Sequence, residues 1–284
     1  STGEYDAGGT AMPYLAGGVE IQAQRLGGSG SLSEQFAALN QRLNDGQVFG
    51  SRGFQLKQGD LVIGNELKAS TLSVSLDNGS LLVNGKVDAS GERVGSIYLA
   101  AQNALTLGSG AVLDAHGRRL RVDSYGKIIE SPNRAIVDLT AREGLLTLGN
   151  GARIDLRHGT EVALGGAPGM NDGRARGTLQ LSAPRLGGVS GGDVAVDASG
   201  ALDIQGARSI SLVAMWQYSD APLIDVPAAS GKPYQVINQA WLDDVHDDNA
   251  AFITNALDND DLLQRKLVGL NNSRYRDVLH LRPG

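Results

Sequence analysis

Five segments of the chain carry two apolar residues spaced by one, with an alanine two positions further on: VEIQA from Val19, SIYLAA from Ser96, IVDLTA from Ile136, TLQLSA from Thr178 and VAVDA from Val194. In four of them a second apolar pair follows a short polar turn, and a third apolar position follows a glycine-rich turn. Ile97, Leu99, Ala101, Leu105, Leu107 and Leu113 align without a gap on Val194, Val196, Ala198, Leu202, Ile204 and Ile210. Val137, Leu139, Ala141, Leu146, Leu148 and Ile154 fit the same template once one residue is added at the turn. AQRLGG from Ala23 and APRLGG from Ala183 are a second echo. Three short period-2 strands per unit of roughly 20 residues form an internal repeat, the rhythm of stacked repeat architectures.

In each strand alternate residues face inward. One unit alone buries almost nothing. When units stack at about 4.8 Å, the inward Leu, Ile and Val rows become one core and each backbone N–H meets a carbonyl of the next unit. The expected architecture is therefore an all-β solenoid, a parallel β-helix of about seven coils. Weaker copies at Phe54, Leu56 and Val62, and at Val74, Leu76, Leu82 and Val87, extend it toward the N-terminus. Ala23, Ala101, Ala141, Ala183 and Ala198 are expected at tight inner corners, with turn glycines supplying positive φ.

Glycine makes up 39 of 284 residues, aromatic residues are 5% and cysteine is absent, which suits aliphatic ladders joined by glycine turns. The missing cysteines exclude a disulfide scaffold and any cysteine-ligated metal. No apolar run approaches the roughly 18 residues of a membrane span, and no signal peptide or initiating methionine stands at Ser1, so a section of a longer protein without membrane insertion is expected. The repeat predicts one elongated body over residues 1–235, with a helical segment over 236–284 packed on it.

Three stretches depart from the repeat. Near 31–45, Ser31 and Glu34 have capping-box spacing, and Leu32, Phe36, Leu39 and Leu43 share a helical face before Asp45 and Gly46 end it. Insertions at 118–133 and 160–176 are expected as projecting loops, and they place Asp114 and Asp155 41 residues apart instead of about 20. From about 236 to 270, Trp241, Val245, Phe252, Ile253, Leu257, Leu262, Leu263 and Leu267 have helical spacing, with Asp260 as a cap and Gly269 as a stop, which predicts two helices.

The units LTLGSGAVLDAHG and LTLGNGARIDLRHG resemble the haemagglutinin repeats of the filamentous haemagglutinin family, large exoproteins exported by two-partner secretion. TLQLSAPRLGG, ARSISLVAMWQYSDAPL, INQAWLDDVHDDNAAFI and LVGLNNSRYRDVLHLRPG further resemble a region of unknown function inside some of those proteins. The resemblance runs over roughly residues 19 to 284 and is most distinctive from Val213 onward. It implies a right-handed parallel β-helix in a secreted or cell-surface bacterial protein serving adhesion, biofilm formation or cell contact. It also implies an outer-membrane secretion partner for the parent protein, and a host or bacterial surface glycan or protein as ligand. It carries no catalytic residues over.

β-Helical polysaccharide lyases and hydrolases use clustered carboxylates, sometimes with calcium. The polygalacturonase-like Asn-Thr-Asp, Gly-His-Gly and Arg-Ile-Lys are absent here. His116 and His158 each precede a turn glycine, where a histidine more often meets solvent than acts as a base. Asp88, Asp114, Asp155 and Asp197 recur at one place in the unit, as turn residues or as a calcium row, and the turn role is favoured. DDVHDDNA and the DNDD from Asp258 lack the glycine and terminal glutamate of a calcium loop, and no metalloprotease, phosphate-loop or nucleophile-elbow motif occurs. The arginines at 118, 119, 121, 174 and 176 form a local basic patch, but a net charge of −6 argues against nucleic acid. No catalytic residue, metal or cofactor is expected. Trp216, Tyr218 and Asp220 are the candidate ligand-binding residues, since an aromatic ring beside a carboxylate holds a sugar face and its hydroxyls. The competing role, favoured because aromatic rings most often serve burial, is a docking site for the helical segment against Trp241 or Phe252. The function expected is a non-enzymatic structural and interaction module, with a polysaccharide-binding or polysaccharide-degrading protein as the alternative.

Overall fold

The computed structural model describes residues 17–218 and 237–284. Its strands fall into three sheets, and the chain passes through them in turn. The first sheet runs in spatial order through Gly18–Ala23, Ser51–Leu56, Thr71–Leu76, Ser96–Ala101, Ile136–Ala141, Gly177–Leu186, Ala207–Met215 and Leu279–Pro283. The second contains Leu61–Ile63, Leu81–Val83, Leu105–Leu107, Leu146–Leu148 and Val196–Asp197, and the third Lys86–Asp88, Val112–Asp114, Arg153–Asp155 and Asp203–Gln205. Within these sheets the described strands pair in parallel, apart from Asp193–Val194, which joins Gly177–Leu186 antiparallel; outside them an isolated antiparallel bridge links Val122 and Ile128.

The expectation of an all-β solenoid, and with it a right-handed parallel β-helix, is corrected. The structure is of α/β type and 18% helical; among the described residues the strands lie in three separate parallel sheets, and no sheet closes or coils on itself. A parallel pair needs a long crossover. Here the crossovers run through the other sheets, which stay open at their ends, and helical segments cover edges that a purely β reading leaves to strands.

The inward rows follow the period-2 pattern. Phe54, Val74, Leu99, Leu139, Leu181 and Leu212 stand in register across the first sheet and are at most 1% exposed. Leu61, Leu81, Leu105, Leu146 and Val196 form the corresponding row of the second sheet, and Val87, Leu113, Ile154 and Ile204 that of the third. Thr106, Thr147 and Asp203 face outward beside buried Leu107, Leu148 and Ile204.

One sequence alignment is wrong by one strand. Val196 pairs with Leu146, which pairs with Leu105, so VAVDA belongs to the second sheet and not beside Ile97. The register partner that continues the Ile97 column is Ile210, through Val137 and Leu179. Every strand shares the same alternation, so periodicity alone cannot distinguish a shift of one strand. Asp197 accordingly leaves the aspartate row, and Gln205 takes its place beside Asp155. The alanine corners are corrected too. Ala23, Leu56, Leu76, Ala101 and Ala141 share one column, which therefore accepts leucine as readily as alanine.

Helix α1 (Leu32–Asp45) begins with the capping box: Ser31 Oγ accepts the Glu34 N–H at 3.2 Å, and Glu34 accepts the Ser31 N–H at 2.7 Å. Its buried Phe36 packs edge-on against Phe54 at 4.8 Å between centroids, while Ser33 Oγ accepts the Val62 N–H at the open edge of the second sheet. The other end of that sheet lies under the C-terminal part, where Ala198 N–H donates to Lys266 O at 2.7 Å. The third sheet ends under Tyr275, whose hydroxyl accepts from Ile204 N–H and donates to Leu202 O, both at 2.9 Å.

Helix α2 (Gln239–Leu257), capped by Asn238 Oδ1 on the Trp241 N–H, buries Phe252 and Ala256. It comes so close to Gly192 that a Cβ there would lie 2.5 Å from Asn255 Cβ, and the φ of +76° at Gly192 also demands glycine. The second expected helix is a single π-helical stretch, Asp261–Lys266, and Asn259 rather than Asp260 accepts its Leu262 N–H. The C-terminal segment ends as a strand, Leu279–Pro283, added to the first sheet. The two insertions run mainly as irregular chain, the first closing in a 3-10 turn at Ser131–Asn133, and they meet where Gly169 N–H donates to Gly126 O at 2.8 Å. Among the described residues, no helix is long and apolar enough to cross a membrane.

Candidate functional site

The stacking of the third sheet sets Asp88, Asp114 and Asp155 one above another, the last two 7% and 3% exposed. Each accepts the backbone N–H two residues on, at Ser90, His116 and Arg157. That is the turn chemistry expected of them. Their remaining capacity is taken by cations. Lys86 Nζ lies 2.8 Å from Asp114 and 3.5 Å from Asp88, and Arg157 grips Asp155 through Nε at 2.9 Å and Nη2 at 2.6 Å. His116 Nδ1 is 2.6 Å from the other Asp114 oxygen.

Burial pushes the Asp114 carboxyl upward, but hydrogen bonds from Lys86 and His116 outweigh it and hold the group below the usual carboxylate range. The hydrogen bond to Asp155 raises Arg157 further, so the guanidinium stays charged.

Asp114, His116 and Asp155 each offer a ligand atom within 4.8 Å of the others. The set was missed because the sequence separates its members; laying LDAHG over IDLRHG is the signal that brings them together. One nitrogen and two oxygen donors suit zinc or a similar ion better than calcium, which wants six to eight oxygens. Lys86 and Arg157 already neutralise both carboxylates at hydrogen-bond distance, so a divalent ion entering here would have to displace them.

The two projecting loops meet at Arg176, 4% exposed. Its Nη1 and Nη2 each donate to Asp172 at 2.8 Å, Nη2 also reaches Glu130 at 3.0 Å, and Nη1 lies 3.1 Å from His158 Nε2. Burial, assisted by Arg176, lowers the His158 pKa, which favours a neutral ring accepting the guanidinium proton. The Arg176 hydrogen bond in turn holds Asp172 well below the carboxylate range. Arg118 and Arg119 both pair with Glu92. The basic patch read from the sequence is thus largely balanced by carboxylates, a pairing across distant residues that spacing could not reveal.

Of the three candidate ligand residues, Asp220 lies outside the described residues. Tyr218 is at the junction with α2. Its hydroxyl donates to Asn249 Oδ1 at 3.2 Å and accepts from Arg185 at 3.3 Å, and its ring meets Trp241 edge-on at 6.3 Å. Arg185, 3% exposed, also donates to the carbonyls of Ala214 and Val189 and to Asn249, and lies 4.5 Å from the Phe252 ring centroid. Tyr218 therefore has the docking geometry, while Trp216 remains 38% exposed with its N–H on Gly284 O. No protein-family model matches the chain, and neither a curated protein nor a solved structure does.

Proposed function

We propose that the chain is an internal structural and interaction module of a large secreted or cell-surface bacterial exoprotein of the filamentous haemagglutinin type, acting in adhesion, biofilm or cell contact through binding rather than catalysis. The observation that carries this reading is how the buried ionisable groups are spent. Asp114 closes an ion pair with Lys86 on the adjacent strand, Arg176 closes one with Glu130 of the other loop, and Asp155 is held locally by Arg157 two residues on. A general acid or base needs a proton-transfer atom within reach of substrate and an ionisation near the working pH. Asp114 and Arg157 are instead driven further into their charged forms. The LTLGSGAVLDAHG and LTLGNGARIDLRHG units support the family reading, and with it export of the parent by an outer-membrane partner.

The polysaccharide-degrading alternative rests on the Asp114–His116–Asp155 group. Binding of fluorescently labelled chain to bacterial and host cells, before and after enzymatic removal of surface glycans, tests the interaction reading. Saturable binding supports it. The absence of binding to every surface, with polysaccharide turnover in its place, overturns it.

A further inference from the structure

The first sheet and the 118–133 loop enclose a cleft of about 380 Å³ lined by Glu130, Ser131, Arg134, Arg176, Thr178, Arg208 and Ser209. Three guanidinium groups face one carboxylate there, in a chain whose net charge is −6. The floor is built by register: Thr178 pairs with Ser209 on adjacent strands, and Arg208 stands beside that pair. Arg176 is fixed at the back, both terminal nitrogens engaged, while its buried Nε has no hydrogen-bond partner among the described residues. Arg134 and Arg208 stand at the exposed front, and Arg208 has only a long contact, 3.5 Å, to Glu130.

Glu130 shows what the arrangement suits. Its two oxygens are shared between Arg176 Nη2 at 3.0 Å and Arg208 Nη1 at 3.5 Å, so the protein's own carboxylate sits between two guanidinium forks. Planar guanidinium groups match carboxylates in this way. Glu130 is itself 61% exposed, on a loop, and its ion pairs go to Arg176 and Arg208; among the described residues none is formed by Arg134. The hydroxyls of Ser131, Thr178 and Ser209 are interleaved with these charges. A peptide carboxylate would use the arginines but not the hydroxyl-lined floor, whereas a sugar acid presents a carboxylate and ring hydroxyls together. The volume lies in the range of ligand clefts, about 300–1,000 Å³.

We infer that this cleft binds a uronic acid residue of an acidic polysaccharide, its carboxylate held by Arg134 and Arg208 and its hydroxyls by Ser131, Thr178 and Ser209. The inference rests on the interaction reading above and names the partner's chemistry. Glu130 acts as a tethered competitor that tunes affinity.

The test is a calorimetric titration of the whole chain at low salt with oligogalacturonate, neutral malto-oligosaccharide and poly-glutamate. The wild type is compared with Arg134→Ala/Arg208→Ala and Glu130→Gln, and melting temperatures establish folding. Oligogalacturonate should bind and the neutral sugar should not. The double variant should weaken binding by at least about tenfold, the loss of two charge-assisted contacts. Glu130→Gln should tighten it by about three- to tenfold, because one repelling charge is gone. Oligogalacturonate binding unaffected by the double variant, equal affinity for the neutral sugar, or binding of poly-glutamate alone would each overturn the assignment. A chain that binds cells but not oligogalacturonate sinks this inference and leaves the interaction reading standing; one that binds neither sinks both.

Discussion

Replacing Leu148 by alanine probes the inward rows more sharply than any change at the surface. Leu148 is 2% exposed and stands in register with fully buried Leu107. The substitution removes three carbons, worth about 0.8 kcal/mol each in lost transfer energy, or about 2.4 kcal/mol together. The strands on either side are held by backbone ladders and cannot collapse fully into the gap, so a cavity term adds to this, giving about 3–4 kcal/mol within the range known for such truncations. Thr147, one residue earlier, points outward, and its replacement by alanine should cost less than about 1 kcal/mol. Urea unfolding followed by circular dichroism gives both midpoints, and slopes equal to that of the wild type show that the shifts report stability. Equal shifts, or a larger shift for Thr147→Ala, would mean that the strand is out by one residue and every inward assignment in it is reversed.

Phe252→Ala should cost about 3–5 kcal/mol, loosen α2 and speed amide exchange across Gln239–Leu257; exchange unchanged there would refute the docking role given to Phe252 and Arg185. Acid should destabilise the fold through Asp172 and Asp114. Both carboxyls titrate lower in the folded chain than the usual value near about 4, so their contribution is present above that value and is lost as pH falls through the lowered one. Asp138, raised by burial, works in the opposite direction and weakens the fold as pH rises through its raised value. Melting temperature should fall between about pH 4 and pH 2, less steeply in Asp172→Asn; an identical slope in that variant would show the Arg176 pair to be inconsequential.

The inward rows and both loop insertions were legible because period-2 alternation survives in each short strand. Ser31 and Glu34 announced α1 through local chemistry that needs no tertiary partner. What failed was longer in range. The placement of Val194 and Val196 turned on which neighbour a strand meets, and the alternation is the same for all of them. The all-β class missed how much covering the open sheet edges require, work done by Ser33 of α1, Lys266 and Tyr275. The Asp114–His116–Asp155 group and the Arg176 network join residues up to 46 positions apart, visible only once the ladders are set. Tyr218 drew notice for the right reason, an aromatic ring in an aromatic-poor chain, and its partners are those of a helix dock.

Whether the chain works by binding or by turnover is decided most directly by incubating it with a panel of acidic and neutral polysaccharides, with and without calcium, while following bound ligand and released ends in the same samples. The account predicts retention of the acidic glycans, with no new reducing ends and no unsaturated products. Reproducible cleavage that disappears in Asp114→Asn or Asp155→Asn would contradict it and place the chemistry at the carboxylate row.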